Sequence, residues 1–119
     1  MDSADSEEQG QSACSAADHE VHEHAPREPE VVKSAAKMCA AMGDPLRLAL
    51  LELLWDGPHC VSELAEESGA SMSAISQRLK ILFSAKLVTR EREGKHVYYS
   101  LADAHIRELL HQLFQHASE

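Results

Sequence analysis

Two short predicted helices on either side of Gly69 constrain the fold of this chain more than any other feature. Apolar residues recur at helical spacing before and after that glycine, which interrupts the periodicity. The first helix starts at Cys60 or Val61, and the second starts with Ser71 as its N-cap and runs to about Ala85. Two short helices joined by a glycine turn are typical of a helix-turn-helix motif, although an ordinary helical hairpin has the same pattern.

A basic hairpin is predicted directly after these helices. Residues 87–92 and 96–101 have the composition of two short strands, and Glu93, Gly94 and Lys95 form the turn between them. A hairpin in this position is the wing of a winged helix-turn-helix, and a solvated hairpin is the alternative. The predicted fold class is therefore mostly α with a small β-hairpin, a winged helix-turn-helix in the order α-α-α-α-β-β-α.

The distribution of charge separates an acidic arm from a nearly neutral body. The chain has a net charge of −9, and residues 1–30 carry nine acidic side chains and one basic side chain. The remaining 89 residues therefore have a net charge of −1. Within them, residues 78–95 carry six basic and two acidic side chains, a local charge of +4. A basic face of this kind favours a nucleic-acid partner despite the overall acidity.

The outward face of the second short helix carries hydroxyls and an amide, which suit base edges and phosphates in a major groove. Basic residues of the hairpin are placed to reach the sugar-phosphate backbone or the minor groove. The candidate DNA-binding residues are Ser71, Ser73, Ser76, Gln77, Arg78, Lys80, Arg90, Arg92 and Lys95.

Two further helices are predicted upstream of this motif. The first spans residues 31–42 and includes Cys39 as a buried small hydrophobe. Asp44 as N-cap and Pro45 as first helical residue begin the second helix, which runs to about Trp55. The predicted inward-facing residues are Val31, Ala35, Met38 and Met42 in the first helix and Leu46, Leu50, Leu53 and Leu54 in the second.

The composition also predicts the setting of the protein. Three scattered cysteines do not suggest a disulfide scaffold, which favours a reducing, cytoplasmic location. No apolar run approaches the ~18 residues of a membrane span, and the acidic N-terminus is no signal peptide, so we expect no membrane partner. Residues 1–29, rich in Ser, Ala and acidic side chains, are predicted to form a flexible arm, and residues 30–119 the DNA-binding and dimerisation domain.

The last predicted helix, residues 103–119, has two polar pairs beside an apolar stripe. The stripe consists of Ile106, Leu109, Leu110, Leu113 and Phe114. His105 and His116 are eleven residues apart, close to three whole turns, so they point the same way, and Glu119 lies near that direction. His111 falls on the opposite, solvent side.

Asp103, His105, His116 and Glu119 are all nitrogen or oxygen donors of the type that zinc prefers. Within one helix, His105 and His116 are roughly 16 Å apart, too far to share an ion. Two copies of the helix, packed antiparallel across a two-fold axis, would bring Asp103 and His105 of one chain to His116 and Glu119 of the other. The alternatives are an N-cap role for Asp103, a solvated histidine at position 116, and Glu119 as part of a tail.

A second cluster of metal-ligand types lies in the acidic arm. Cys14, His19, His22 and His24 occur within eleven residues, together with several carboxylates. This composition indicates metal contact, and a solvated polar tail is the alternative.

From Pro29 to Glu119 the chain resembles the ArsR/SmtB family of metal-sensing transcriptional repressors. The resemblance rests on D-P-L-R-L-x-L-L from Asp44, C-V-x-E-L from Cys60, S-x-S-A-I-S-Q-R-L from Ser71, G-K-H-V-Y-Y-S-L from Gly94, and D-x-H…H-x-x-E across the last helix, the spacing typical of the zinc-sensing branch. It implies a winged-helix homodimer formed by the first and last helices. It also implies a metal-free form that occupies operator DNA and is released when metal binds.

The resemblance implies two metal sites. Asp103, His105, His116 and Glu119 match the last-helix zinc site, which would be shared across the dimer. Cys60 matches the cysteine of the family's other site, with Glu63 one turn away. The opposite subunit would complete that site with Cys14 and one of His19, His22 or His24. As an alternative, Cys60 is part of the core.

The resulting hypothesis is a zinc-responsive repressor whose dimer binds an inverted repeat, with the reading helices roughly 34 Å apart. The last-helix donor set fits Zn²⁺ or Co²⁺, and a thiol-containing second site would also take Cd²⁺ or Pb²⁺. One rival is a thiol-redox or soft-metal sensor on the same fold, using Cys60 and Cys14. Another is a zinc buffer or metalloenzyme. An enzyme is disfavoured because no H-E-x-x-H is present and four protein ligands leave no open position, so we expect no small-molecule substrate.

Overall fold

The computed structural model describes residues 23–119. The predictions made for Cys14, His19 and His22 lie outside the described residues. The described elements, in chain order, are α1 (Pro29–Met42), α2 (Pro45–Leu53), a 3₁₀ turn (Leu54–Asp56), β1 (His59–Cys60), α3 (Val61–Ser68), α4 (Met72–Ser84), β2 (Val88–Glu93), β3 (His96–Leu101) and α5 (Ala104–Ala117).

The predicted winged helix-turn-helix is confirmed, with one additional strand. β2 and β3 form the wing hairpin, and β1 pairs with the other side of β3 to give an antiparallel sheet in the order β1-β3-β2. Cys60 in β1 pairs with Tyr98. The sequence did not predict β1 because a two-residue strand shows no periodicity. The turn of the hairpin is also one residue shorter than predicted, since Glu93 already pairs with His96.

The predicted helix boundaries rest on side-chain caps that the structure contains. The Asp44 carboxylate accepts hydrogen bonds from the backbone N–H groups of Leu46 and Arg47, both at 3.1 Å. The Ser71 hydroxyl accepts a hydrogen bond from the Ala74 N–H at 3.1 Å, which fixes the start of α4. Gly69 ends α3 with φ +70°, a left-handed conformation that glycine adopts without a Cβ clash.

The core lies between α2, α3, α4, the base of the wing and α5. Its fully buried large side chains are Leu50, Leu51, Leu54, Leu64, Ile75, Leu79, Leu82, Leu87 and Leu110. The prediction that Leu46 points inward is wrong, because the first turn of α2 extends past this core and leaves Leu46 56% exposed. The prediction of a buried Cys39 is also wrong, since that cysteine is exposed on α1.

Helix α1 packs only its C-terminal end against the rest of its own chain. Ala41 and Met42 are buried, whereas Val31 and Val32 are 51% and 55% exposed, and Ala35 is exposed as well. The predicted inward face of this helix is therefore apolar but uncovered within one chain. No helix in the described part of the chain is long and apolar enough to cross a membrane.

Candidate DNA-reading face and metal-binding helix

Helix α4 buries one side and presents a polar side to solvent. Ile75, Leu79 and Leu82 are fully buried, so residues half a turn away project outward. The exposed set includes Ser73, Ser76, Gln77 and Lys80, as predicted for a reading helix.

Two other candidate DNA contacts, Ser71 and Arg78, lie at the margins of this face. Ser71 uses its hydroxyl as the N-cap, which fixes the start of the helix. Arg78 is half-buried on the flank of α4, beside Leu46 and Gly69. Neither residue therefore lies in the centre of the outward face.

The wing holds its basic side chains in defined positions. The Arg90 guanidinium lies 4.1 Å from the centroid of the Phe83 ring, a cation–π contact that attaches the wing to the end of α4. Arg92 donates to the Gly94 carbonyl at 3.4 Å, at the tip of the hairpin, where Gly94 has φ +64°. Lys95 is exposed in the same turn. The outward face of α4 and the wing therefore carry adjacent positive charge.

The apolar side chains of α5 face two directions, toward the core and toward solvent. Ile106 and Leu110 are buried in the core, and Phe114 is half-buried beside them. Leu109 and Leu113 remain 43% and 40% exposed. At ~100° per residue, these two leucines lie on the same side of the helix as the two predicted ligand histidines.

Each end of α5 carries one imidazole beside one carboxylate. At the N-terminal end, His105 Nδ1 lies 3.7 Å from Asp103 Oδ1, and at the C-terminal end His116 Nδ1 lies 3.9 Å from Glu119 Oε1. The side chains of His105 and His116 are 95% and 87% exposed. Both pairs are thus open to a ligand or to a second chain.

The donor chemistry of these pairs fits a zinc ion, and the geometry of one chain provides half a site at each end. Imidazole nitrogen and carboxylate oxygen are ordinary zinc donors. Within residues 23–119, no three metal-ligating side chains come together. A four-ligand site built from these pairs therefore requires a second copy of α5.

Asp103, one of the candidate ligands, is the N-cap of α5. Its Oδ1 accepts a hydrogen bond from the Ile106 N–H at 3.0 Å. A carboxylate has two oxygens with about four lone-pair positions, so this hydrogen bond does not exclude metal ligation. The N-cap role and the ligand role are therefore compatible.

Cys60 and Glu63 lie together at the start of α3. The Glu63 carboxylate accepts a hydrogen bond from the Cys60 backbone N–H at 2.9 Å, and the Cys60 sulfur lies 3.2 Å from the Ser62 hydroxyl. Cys60 is 8% exposed, so in this conformation its thiol is largely covered. His24, the one arm ligand candidate within the described residues, is exposed.

Two interactions near these sites were not predicted from the sequence. Arg47 donates from Nε to the Ala41 carbonyl at 2.8 Å and from an Nη to the Ala40 carbonyl at 3.3 Å, which caps the C-terminus of α1. His111 is exposed as predicted, but its ring centroid lies 6.3 Å from that of Trp55. Both contacts join segments that are separate in the sequence.

The helix-turn-helix, the wing and the polar outward face of α4 define a winged helix-turn-helix protein. Residues 44–90 match the model of the family described as "Bacterial regulatory protein, arsR family". The transcriptional repressor SmtB homolog of Synechocystis sp. is 39% identical in an alignment 97 residues long, which covers 77% of this chain and 74% of that protein. The chain therefore belongs to the arsR family of bacterial regulatory proteins.

Two other comparisons agree with this assignment. The HTH-type transcriptional regulator NmtR of Mycobacterium tuberculosis is 36% identical over 93 residues, 78% of each chain. The solution structure of a homodimeric winged helix-turn-helix DNA-binding domain from Mycobacterium bovis superposes with a TM-score of 0.75 at 27% identity. That superposition covers 83% of this chain and 92% of the other.

Proposed function

We propose that this protein is a zinc-responsive transcriptional repressor of the bacterial cytoplasm. A homodimer binds an inverted repeat in operator DNA through α4 and the wing, and zinc binding at α5 lowers that affinity. Residues 30–119 form the DNA-binding and dimerisation domain, and residues 1–29 form an arm. The relatives named as SmtB-type repressors support a metal-responsive repressor as the general class.

One observation carries the choice of α5 as the sensing element. The exposed imidazole–carboxylate pairs at its two ends flank the exposed leucines 109 and 113. Burial of those leucines against a second α5 in antiparallel orientation brings Asp103 and His105 of one protomer to His116 and Glu119 of the other. Because the interface is isologous, the dimer has two equal sites.

The residues of α5 provide a physical link between the sites and the DNA-reading face. Zinc, when bound, cross-links the two α5 helices. Ile106 and Leu110 on the inner side of the same helix are buried in the core that also contains Leu79 and Leu82 of α4. A change in the relative position of the two α5 helices is therefore transmitted to the spacing of the two reading helices.

Nitrogen and oxygen donors favour Zn²⁺ or Co²⁺ over soft ions. Cys60, with Cys14 and an arm histidine, is a second candidate site that suits Cd²⁺ or Pb²⁺, and it is the basis of the rival soft-metal or thiol-redox sensor. Coordination at Cys60 requires the largely buried thiol to become accessible, whereas the donor atoms at the two ends of α5 are already exposed. For this reason α5 is the favoured sensing site.

The test is a fluorescence-anisotropy titration of the metal-free protein against a labelled promoter duplex from its own gene, followed by zinc and then chelator. We expect reversible loss of binding in the unaltered protein. His116→Ala removes one ligand from each site, so it should bind DNA normally without metal and fail to dissociate with zinc.

His111→Ala is the matched control, because this histidine is exposed on the same helix but lies beside Trp55. It should respond to zinc as the unaltered protein does, and so should Cys60→Ser. Normal zinc release of His116→Ala would contradict the α5 site. If Cys60→Ser, and not His116→Ala, lost the zinc-induced release from DNA, the sensing site would be the cysteine site.

A further inference from the structure

A groove between α1 and α4 lies next to the outward face of the reading helix. It has a volume of about 410 Å³, with Lys37, Ala40 and Ala41 from α1 on one side and Lys80, Ile81 and Ala85 at the end of α4 on the other. Lys80 is one of the predicted DNA contacts. The groove therefore extends the predicted DNA interface to α1, a helix that contributes none of the predicted contacts.

The groove combines a cationic rim with an apolar floor. Lys37 and Lys80 are exposed, and within residues 23–119 no carboxylate forms an ion pair with either ammonium group. Arg47 also lines the groove, but its guanidinium is held by the carbonyls of Ala40 and Ala41. Two lysines therefore remain to bind an anion.

The floor of the groove indicates which anion fits. Ile81 is 43% exposed there, beside the alanines of both helices. A DNA strand alternates phosphate oxygens with the apolar carbons of deoxyribose, so cations at the rim and an isoleucine on the floor match both parts of its repeat. Small inorganic anions would use only the rim.

We propose that this groove binds the sugar-phosphate backbone of DNA, with Lys37 of α1 as a phosphate contact outside the helix-turn-helix and the wing. The proposal rests on the proposed DNA-binding function and extends its interface to α1. Because a phosphate contact carries no base specificity, Lys37 contributes equally to operator and non-operator binding.

The test measures DNA affinity as a function of salt for the full-length metal-free dimer. Anisotropy titrations use the labelled promoter duplex and a random-sequence duplex of the same length, between about 50 and 200 mM salt. Lys37→Gln removes one phosphate contact per protomer. The slope of log K against log salt, which is negative, should therefore become shallower by about 1.8 for both duplexes. The factor by which affinity drops between the two salt concentrations then becomes about twelvefold smaller.

Lys33→Gln is the matched control, because it makes the same charge change one turn earlier on α1, outside the groove. Its slope should stay that of the unaltered protein. Ile81→Ala removes apolar contact but no charge, so it should weaken binding to both duplexes while leaving the slope unchanged.

An unchanged slope in Lys37→Gln, or an equal fall in Lys33→Gln, would overturn the proposal. So would full affinity of Ile81→Ala. Failure of the proposed function would give a different result: the unaltered protein would bind the promoter duplex no more tightly than the random-sequence duplex.

Discussion

At the scale of single residues, short polar side chains fix where helices begin, and one lysine has an unusual backbone conformation. Among residues 23–119, Lys86 is the one non-glycine residue with positive φ, at +65°. Its N–H donates to the Phe83 carbonyl, and the Leu87 N–H donates to the Leu82 carbonyl, both at 3.0 Å. These two hydrogen bonds end α4 in a pattern whose left-handed residue is usually glycine, so a lysine at this position is strained.

Lys86→Gly should stabilise the protein. Relief of the left-handed strain is worth about 1–2 kcal/mol, and the greater freedom of glycine in the unfolded chain opposes it by about 0.5–1 kcal/mol. We expect a net gain of about 0.5–1 kcal/mol in the free energy of unfolding, measured by urea denaturation at fixed protein concentration. Lys33→Gly in the regular helix α1 is the control and should lose about 1 kcal/mol. A loss of stability in Lys86→Gly would contradict the strained conformation.

At the scale of elements, α1 and α5 have more apolar surface than their own chain covers. Residues Leu109 and Leu113 on α5 and Val31 and Val32 on α1 are each at least 40% exposed. Together they predict an interface built from both helices. Burial of α5 there is also what the proposed metal sites require.

Leu113→Glu should therefore separate the protomers. A carboxylate without a partner at a buried interface costs about 3 kcal/mol or more, which raises the dimer Kd a hundredfold or more. Sedimentation equilibrium of the metal-free protein measures this constant. Gln115→Glu adds the same charge on the exposed side of α5 and should remain dimeric. A Leu113→Glu variant as dimeric as the unaltered protein would exclude α5 from the interface.

At the scale of the whole molecule, sensing is a coupling between α5 and the DNA-reading face through a shared core. If zinc lowers DNA affinity by a given factor, DNA must lower zinc affinity by the same factor. A coupling of about 1–3 kcal/mol corresponds to a factor of roughly 5–150.

This equality is testable with two independent titrations of the unaltered protein. Zinc affinity, measured by competition with a chelating dye, should weaken on addition of saturating promoter duplex by the factor found in the anisotropy experiment. His116→Ala should show no such effect of DNA on its residual zinc binding. Unequal factors would mean that the zinc site being measured is not the one that controls DNA binding.

The sequence by itself determined the features that depend on neighbours within a few residues. The caps at Asp44, Ser71 and Asp103, the break at Gly69 and the hairpin are local, because each hydrogen bond or conformation joins residues close in the chain. The winged helix-turn-helix followed from their order. The identity of the candidate ligands on α5 followed from helical periodicity.

Only the tertiary structure decided which surfaces are covered. Strand β1, the Arg47 cap on α1 and the Arg90 contact with Phe83 each join separate elements. The exposure of Leu46 and Cys39 and the division of the α5 stripe depend on where the core ends. Periodicity marks an apolar face without naming its partner, because burial is a property of how distant segments pack.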